Sequence, residues 1–486
     1  MTKSQRIIAI TLAAGTLLSS LSGCTTNPAT GESVFTGLSS DESELRVGRQ
    51  QHPKIIKAFG GEFGSPELKR YIDSIGQLLA RTVERKNFKY SFTILNSDVV
   101  NAFALPGGYI YITRGLLALA ENEAEVAGVL AHELGHITAL HHGQREGQGL
   151  LANILVAGAG IAGGRPAAEL GNVVASGALS AYSREHELES DSLALRYLSR
   201  AGYDPNAMVS FLRKMRASSR LTAKRLGQSP DEVDEFSYLA THPAPADRVR
   251  IASEKATQYS VKNPMRARDI YLRKINGMLY CDDPDQGFIR GRIFAHPKLK
   301  FRFEVPKGFR LFNSPRAVYA KGPNDATIIF DSARRPADGP ISYYLREIWA
   351  RNVNLRNVEK LRINGLDSAT GILRRRGVDI RVVAIRKDLQ TIYRFMFRTK
   401  PRDTARLSRA LRQTTHSFRL LTDRETEGLK PLRIRVVRTR RGDSVASMAR
   451  RMAGDDGFNE ERFRVLNGLH DNARLRPGQR VKIIAD

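Results

Sequence analysis

From about residue 41 to 260 the apolar positions recur mainly at helical spacing. Ser65-Pro66-Glu67 reads as a helix start, and Leu68, Ile72, Ile75 and Leu79 then lie on one face. Two short strands are expected next, Phe92–Leu95 and Tyr109–Thr113, the second following a Pro106-Gly107-Gly108 turn. Asn122 reads as an N-cap with Glu125 three residues on, opening a helix with Val126, Val129, Leu130 and Ile137 on one side. Leu150–Gly164 is apolar and rich in Ala and Gly, but Asn153 interrupts it and Arg165 ends it. That run is too short for a membrane span and suggests a buried or lid helix beside a functional site.

The pattern changes over 263–290, where Pro264, Asp282, Asp283, Pro284 and Gly287 suggest a linker. From 291 to 422, strand-like stretches (Phe301–Val305, Thr327–Phe330, Val382–Ile385, Thr391–Phe397) alternate with helical ones near Tyr343–Arg351 and Thr404–Thr414. This is an α+β module without a constellation of catalytic residues, and it bears a slight resemblance to the PsbP/Mog1-like fold. Residues 431–486 read as strand, two helices and strand: Val436-Val437; a helix opened by Gly442-Asp443-Ser444; a second with Phe463, Leu466 and Asn467; then Pro477-Gly478-Gln479 turning into Val481–Ile484. This βααβ unit resembles a LysM module, although Ser444 replaces the usual Thr and the stretch between the helices is longer. The resemblance implies binding to N-acetylglucosamine polymers such as peptidoglycan.

The N-terminus adds a destination. Lys3 and Arg6 precede an apolar run, Ile7–Leu18, of the length found in secretory signals. Leu21-Ser22-Gly23-Cys24 resembles a bacterial lipobox, which implies that 1–23 is a signal peptide and that Cys24 carries lipid. Thr25, where the inner-membrane retention signal has Asp, favours a periplasmic protein anchored to the outer membrane. Residues 24–40, rich in Thr, Ser, Gly and Asn, are expected to form a tether. With Cys24 lipidated, Cys281 has no disulfide partner, and it reads as a buried small residue. The net charge of +27 points to anionic partners, and residues 431–486 alone carry 13 Lys and Arg against 7 Asp and Glu, a net of +6. Export excludes nucleic acid and leaves lipid head groups and cell-wall polymers.

The chemistry centres on His132-Glu133-Leu134-Gly135-His136. On a helix, positions i and i+4 share a face, so both imidazoles converge on one ion. Glu133 then reaches a water on that ion without being a ligand itself. A catalytic zinc needs a third protein ligand and an open position. Glu185, Glu187 and Glu189 compete for that role in Ser183–Asp191, and an acidic solvated face is the alternative reading of the same run. Glu187 and Asp191 form an i, i+4 pair from which Asp191 can orient a ligand histidine. His141 and His142 lie beyond the ligand face and read as structural or solvated residues.

Four stretches carry a specific resemblance: Asn101–Gly108, the His132–His136 motif, Glu187-x-x-x-Asp191 and Thr241-His242-Pro243. Residues 41–262 are similar to M48-type (Ste24-like) zinc metallopeptidases, in the branch of periplasmic lipoproteins. The resemblance implies a mainly α, zincin-like domain with a small sheet, and Glu187 as third zinc ligand. It implies degradation of misfolded or misassembled envelope proteins, with Glu133 as general base. His242 and Arg248 are candidates to stabilise the oxyanion, and His242 is alternatively a gate that takes the water's place on zinc. The Tyr109–Thr113 strand is expected to offer an edge to extended substrates. Two rival readings differ in class: a wall-bound chaperone or assembly factor with a latent peptidase site, and a cell-wall hydrolase.

Overall fold

The computed structural model describes residues 24–36, 40–144, 182–225, 229, 242, 246–314, 317–334, 339–454 and 457–486. The segment expected to be a signal peptide, 1–23, and the expected helix at Leu150–Gly164 lie outside the described residues.

Residues 24–36 are not a free tether. Strands β1 (Cys24–Thr26) and β2 (Ser33–Phe35) pair antiparallel as a hairpin. Asn27 at its turn is buried, and Arg196 donates to the Ala29 carbonyl at 3.2 Å. The polar composition that suggested a tether instead supplies hairpin turn residues.

Helix α1 (Asp41–Ala58) is N-capped by Ser40 and leads to α2 (Pro66–Ala80), where Ser65 caps and Pro66 takes the first turn as expected. A three-stranded sheet follows: β3 (Ser91–Leu95), β4 (Ala102–Leu105) and β5 (Tyr109–Thr113). Its order is β3-β5-β4, with β5 parallel to β3 and antiparallel to β4. The Tyr109–Thr113 strand is therefore central and offers no edge; β4 is the edge beside the site described below. The Pro106-Gly107-Gly108 turn folds β4 back beside β5, a pairing that periodicity alone did not reveal.

Short helix α3 (Arg114–Leu119) precedes α4 (Glu123–Thr138), in which every residue is buried. Burying its acidic first turn requires partners. Glu123 accepts from the Tyr71 and Tyr203 hydroxyls at 2.6 and 2.7 Å, and Glu125 from Lys214 Nζ at 2.9 Å. A single turn, α5 (His141–Gln144), then α6 (Arg184–Arg200), α7 (Asn206–Arg225) and α8 (Ala246–Ala256) complete the surroundings of α4. The expected linker at 263–290 is instead structured. Helix α9 (Arg268–Ile275) buries Tyr271, Leu272 and Ile275 in the same core, because its apolar residues follow helical spacing behind the Pro264 turn.

The middle unit is antiparallel. A seven-stranded sheet has the order β12-β13-β14-β15-β11-β10-β9, from Arg356–Ile363, Leu366–Arg375, Val378–Arg386, Thr391–Thr399, Thr327–Arg334, Val318–Lys321 and Arg310–Asn313. A smaller sheet joins β6 (Phe288–Arg290), β7 (Ile293–His296), β8 (Phe301–Glu304) and β16 (Arg419–Leu420). Helix α10 (Pro401–Ser417) packs on a core that includes Phe301, Phe303, Phe330, Tyr393, Phe395 and Phe418.

At the C-terminus β17 (Arg433–Arg438) and β18 (Arg480–Ala485) pair antiparallel around α11 (Val445–Arg450) and α12 (Asn459–Leu466). Asn467 bonds the Phe463 and Lys482 carbonyls, so this residue locks the unit together. The unit is also docked on the first one. Lys482 is fully buried, and its ammonium donates to the Ala118, Leu119 and Ala120 carbonyls at 2.7, 3.1 and 2.6 Å. These carbonyls end α3, where a cation satisfies both orphan acceptors and the helix dipole. No described helix is long and apolar enough to cross a membrane.

Candidate metal centre

Asn122 caps α4 by accepting from Glu125 N at 2.9 Å, which sets the helix phase. Four residues apart on the buried helix, His132 and His136 bring their Nε2 atoms to 3.0 Å. From α6, capped by Ser183, Glu187 reaches both rings, its carboxylate oxygens 3.5 Å from each Nε2. His242 closes the group, with Nδ1 2.8 Å from Glu187 Oε1 and 3.3 Å from His132 Nε2. Ligand-type atoms of His132, His136, Glu187 and His242 all lie within 4.8 Å of one another, and all four residues are buried.

Glu185 is exposed, and Glu189 binds elsewhere, so of the three competing glutamates the fold brings Glu187 to the histidines. Asp191 lies 2.9 Å from His132 Nδ1, which directs that ring's Nε2 inward. His136 Nδ1 is 2.8 Å from His141 Nδ1, and His141 Nε2 is 3.2 Å from Glu189, whose other oxygen accepts from Asn27 at 2.9 Å. His141 is thus not a solvated bystander. It links His136 to the N-terminal hairpin, and only the turn of chain after α4 brings it there. His142 is also buried and bonds the Tyr182 hydroxyl at 2.8 Å, while the Tyr182 ring stacks on His136 at 3.8 Å.

Arg248 lies buried beside the cluster. Its Nε and Nη2 lie 2.9 and 2.8 Å from Asp191, and Nη1 lies 2.5 Å from Glu187. Its fork is committed to the two acidic residues of α6.

Electrostatics follow from burial. Desolvation opposes the charge on Glu187, but Arg248 and His242 outweigh it and hold the carboxyl well below the usual range. Burial pulls His132 down, yet Asp191 and Glu187 raise it to about 10, whereas burial keeps His136 well below its ordinary value. Burial pushes Glu133 up, against the pull of His242 and His132.

The donor set fits a zinc ion. Three imidazoles and a carboxylate, with N and O donors in one small volume, match its preferred ligands. The second nitrogens of His132 and His136 are engaged by Asp191 and His141, the arrangement that orients ligand imidazoles. His242 Nε2 and Glu133 Oε2 are buried with no hydrogen-bond partner. Beside the cluster a pocket of about 30 Å³ is lined by His132, Glu133 and His242 together with Val100, Ala102 of β4 and Phe211.

Gly135 lets α6 approach. A Cβ there would stand 2.6 Å from Ser190 Oγ, which donates to the His132 carbonyl at 2.5 Å. Gly135→Ala is expected to cost about 1–3 kcal/mol by overpacking and to weaken zinc binding by parting α4 from α6. Denaturant melts and zinc titrations measure both, and Ser190→Ala in the same chain should recover part of the loss. Wild-type values for Gly135→Ala would refute the close-packing argument.

Comparison with known proteins agrees with this geometry. Residues 66–256 match the model of Peptidase family M48, and residues 437–483 match that of the LysM domain. The beta-barrel assembly-enhancing protease of Escherichia coli strain K12 is 30% identical over 261 residues, 51% of this chain and 51% of that protein. The mitochondrial metalloendopeptidase OMA1 of Schizosaccharomyces pombe is 25% identical over 226 residues, 45% of this chain and 63% of that protein. The chain spans about half the length of the first of these relatives. Among solved structures, cyanobacterial PsbP from Synechocystis aligns at 14% identity over 28% of this chain and 98% of its own, with a TM-score of 0.23, too low to support an argument.

Proposed function

We propose, for a chain that carries a Peptidase family M48 domain and a LysM domain, that it is a zinc-dependent endopeptidase of the bacterial cell envelope. The observation that carries the reading is the convergence of His132, His136 and Glu187 beside the partnerless oxygen of Glu133. Zinc held by the three residues supplies Lewis-acid polarisation of the scissile carbonyl and acidification of the attacking water. Glu133 takes the water's proton and delivers it to the leaving amine. Its raised pKa suits a base that must also act as an acid. Asp191 and His141 hold the two imidazoles in register, and Arg248 holds Glu187 and Asp191. Ala102–Leu105 of β4, the sheet edge beside the pocket, are buried, so an extended substrate pairs with this strand only once its edge is uncovered, through backbone hydrogen bonds that impose little sequence preference.

The substrates in this reading are misfolded or misassembled envelope proteins, to which backbone recognition is suited. Acylation at Cys24 would anchor the chain to the outer membrane, and the LysM unit would add peptidoglycan as a partner. The test is casein cleavage: chelator-stripped protein should be inactive and regain activity with zinc at one equivalent. Full activity after complete removal of metal would end the reading.

His242 favours a restrained enzyme. Its ring already lies against Glu187 and His132 in the group of ligand-type atoms, where a fourth protein ligand would exclude water. His242→Ala is therefore expected to raise basal casein cleavage several-fold. A fall instead would assign it to the oxyanion, and unchanged activity with unchanged zinc affinity would leave it a structural residue.

A further inference from the structure

The first unit, the Leu279–Cys281 connection and the C-terminal unit meet around a second cavity of about 180 Å³, whose lining contains none of His132, His136, Glu187 and His242. Arg114 at the start of α3, Arg225 at the end of α7 and Arg462 of α12 line it, with Ser218, Tyr280 and, at an exposed rim, Asp98. Its remaining wall is mostly apolar and comes from α3, α7 and α12, with Val100, Leu279 and Cys281. Peptidase-side and LysM-side arginines therefore line one cavity.

Arg114 is the informative member. It is 3% exposed, and burying a guanidinium demands compensation. The other deeply buried arginines of the first unit have it: Arg248 pairs with Glu187 and Asp191, and Arg85 with Asp41 and Glu44. Arg114 donates through Nε to the neutral Asn96 side chain at 2.8 Å and stands over the Phe63 ring at 5.8 Å. Among the described residues no carboxylate lies within ion-pair distance of it. Of the acids of the connection, Asp283 is buried and accepts from the Asn96 amide, while Asp282 is committed to Ile289 N and Arg290 at 2.9 and 3.2 Å. Asp282 is also electrostatically strained: burial and the neighbouring Asp98 raise its pKa to about 7, which leaves it only partly charged at neutral pH.

We infer that this cavity binds a phosphate group, held between Arg114 of the peptidase unit and Arg462 of the LysM unit. Guanidinium forks match the oxygens of a phosphate, and Ser218 and Tyr280 add hydroxyls to the same wall. The occupant then ties the two units together beside the Lys482 contact, so that docking of the C-terminal unit responds to the anion. The phosphate is either free or the head group of a lipid.

Isothermal titration of the full-length mature chain with inorganic phosphate, in buffer of constant ionic strength, tests this. Glycerol 3-phosphate serves as the head-group arm and acetate as the carboxylate control. The expected result is one saturable phosphate site, at least tenfold weaker in Arg114→Gln and in Arg462→Gln, and unchanged in Arg409→Gln on the exposed face of α10. Circular dichroism checks each variant's fold; if Arg114→Gln unfolds, Arg114→Lys, which keeps the charge and loses the fork, should still weaken the site. Glycerol 3-phosphate binding as well as phosphate assigns the head-group source, and much weaker binding assigns the free ion. No saturable heat, equal affinity in wild type and the folded Arg114 variant, or equal binding of acetate would overturn the proposal. None of these outcomes depends on peptidase activity.

Discussion

Glu133→Gln is expected to bind zinc as tightly as wild type and to cleave casein about 10²–10⁴-fold more slowly, the range that a positioned general base contributes. The substitution preserves shape and leaves His132, His136 and Glu187 in place. It removes only the capacity to take a proton. Burial makes the neutral amide easy to accommodate, since the same burial already disfavours the Glu133 charge. Stability should therefore hold or rise slightly while activity collapses. Metal content and initial rates on one preparation separate the two effects. Equal rates would remove Glu133 from the mechanism, and lost zinc would make it a ligand instead.

Arg248→Met is expected to destabilise the protein by about 3–5 kcal/mol at neutral pH, the cost of leaving a buried charge without its partner. Arg248 is 2% exposed and compensates both Glu187 and Asp191. Zinc affinity should fall with it, because the third ligand loses its anchor. The pH dependence has a definite sign. Both carboxyls are held below their ordinary values of 4.5 and 3.8, so their stabilisation is present above those values and is lost as pH falls through the depressed ones. Without Arg248 the depressions shrink, and the gap between wild type and variant should narrow in acid. Urea melts across pH 3 to 8 measure it. A gap that widens in acid would place the compensating charge elsewhere. Arg248→Lys should fall between the two, since it keeps a charge but not the fork.

Sequence determined much of the local structure and of the chemistry. Asn122 and Ser65 act as caps because side-chain acceptors pair with the first helical amides whatever lies around them. Helical periodicity alone puts His132 and His136 on one face, and Glu187 and Asp191 on another. The C-terminal βααβ order is likewise written in short-range turn signals such as Pro477-Gly478. What crossed between elements was not readable. Strands β12 and β13 carry charged, half-exposed positions, so they lack the strict alternation that marks a strand facing one core. The Tyr109–Thr113 strand looked like an edge because its pairing with Ala102–Leu105 is a tertiary fact.

At the site, three glutamates were equivalent by spacing, and only the packing of α6 on α4, permitted by Gly135 and Ser190, selects Glu187. The same packing spends Arg248 on Glu187 and Asp191, and turns His141 from a residue beyond the ligand face into the support of His136. Lys482 lies in the expected C-terminal strand, and only docking of the units buries it against three carbonyls at the end of α3. Ligand types and their helical phase depend on neighbours within a turn or two, which a sequence records. Which side chain compensates which charge depends on contacts between residues far apart in the chain, and only the folded structure supplies those.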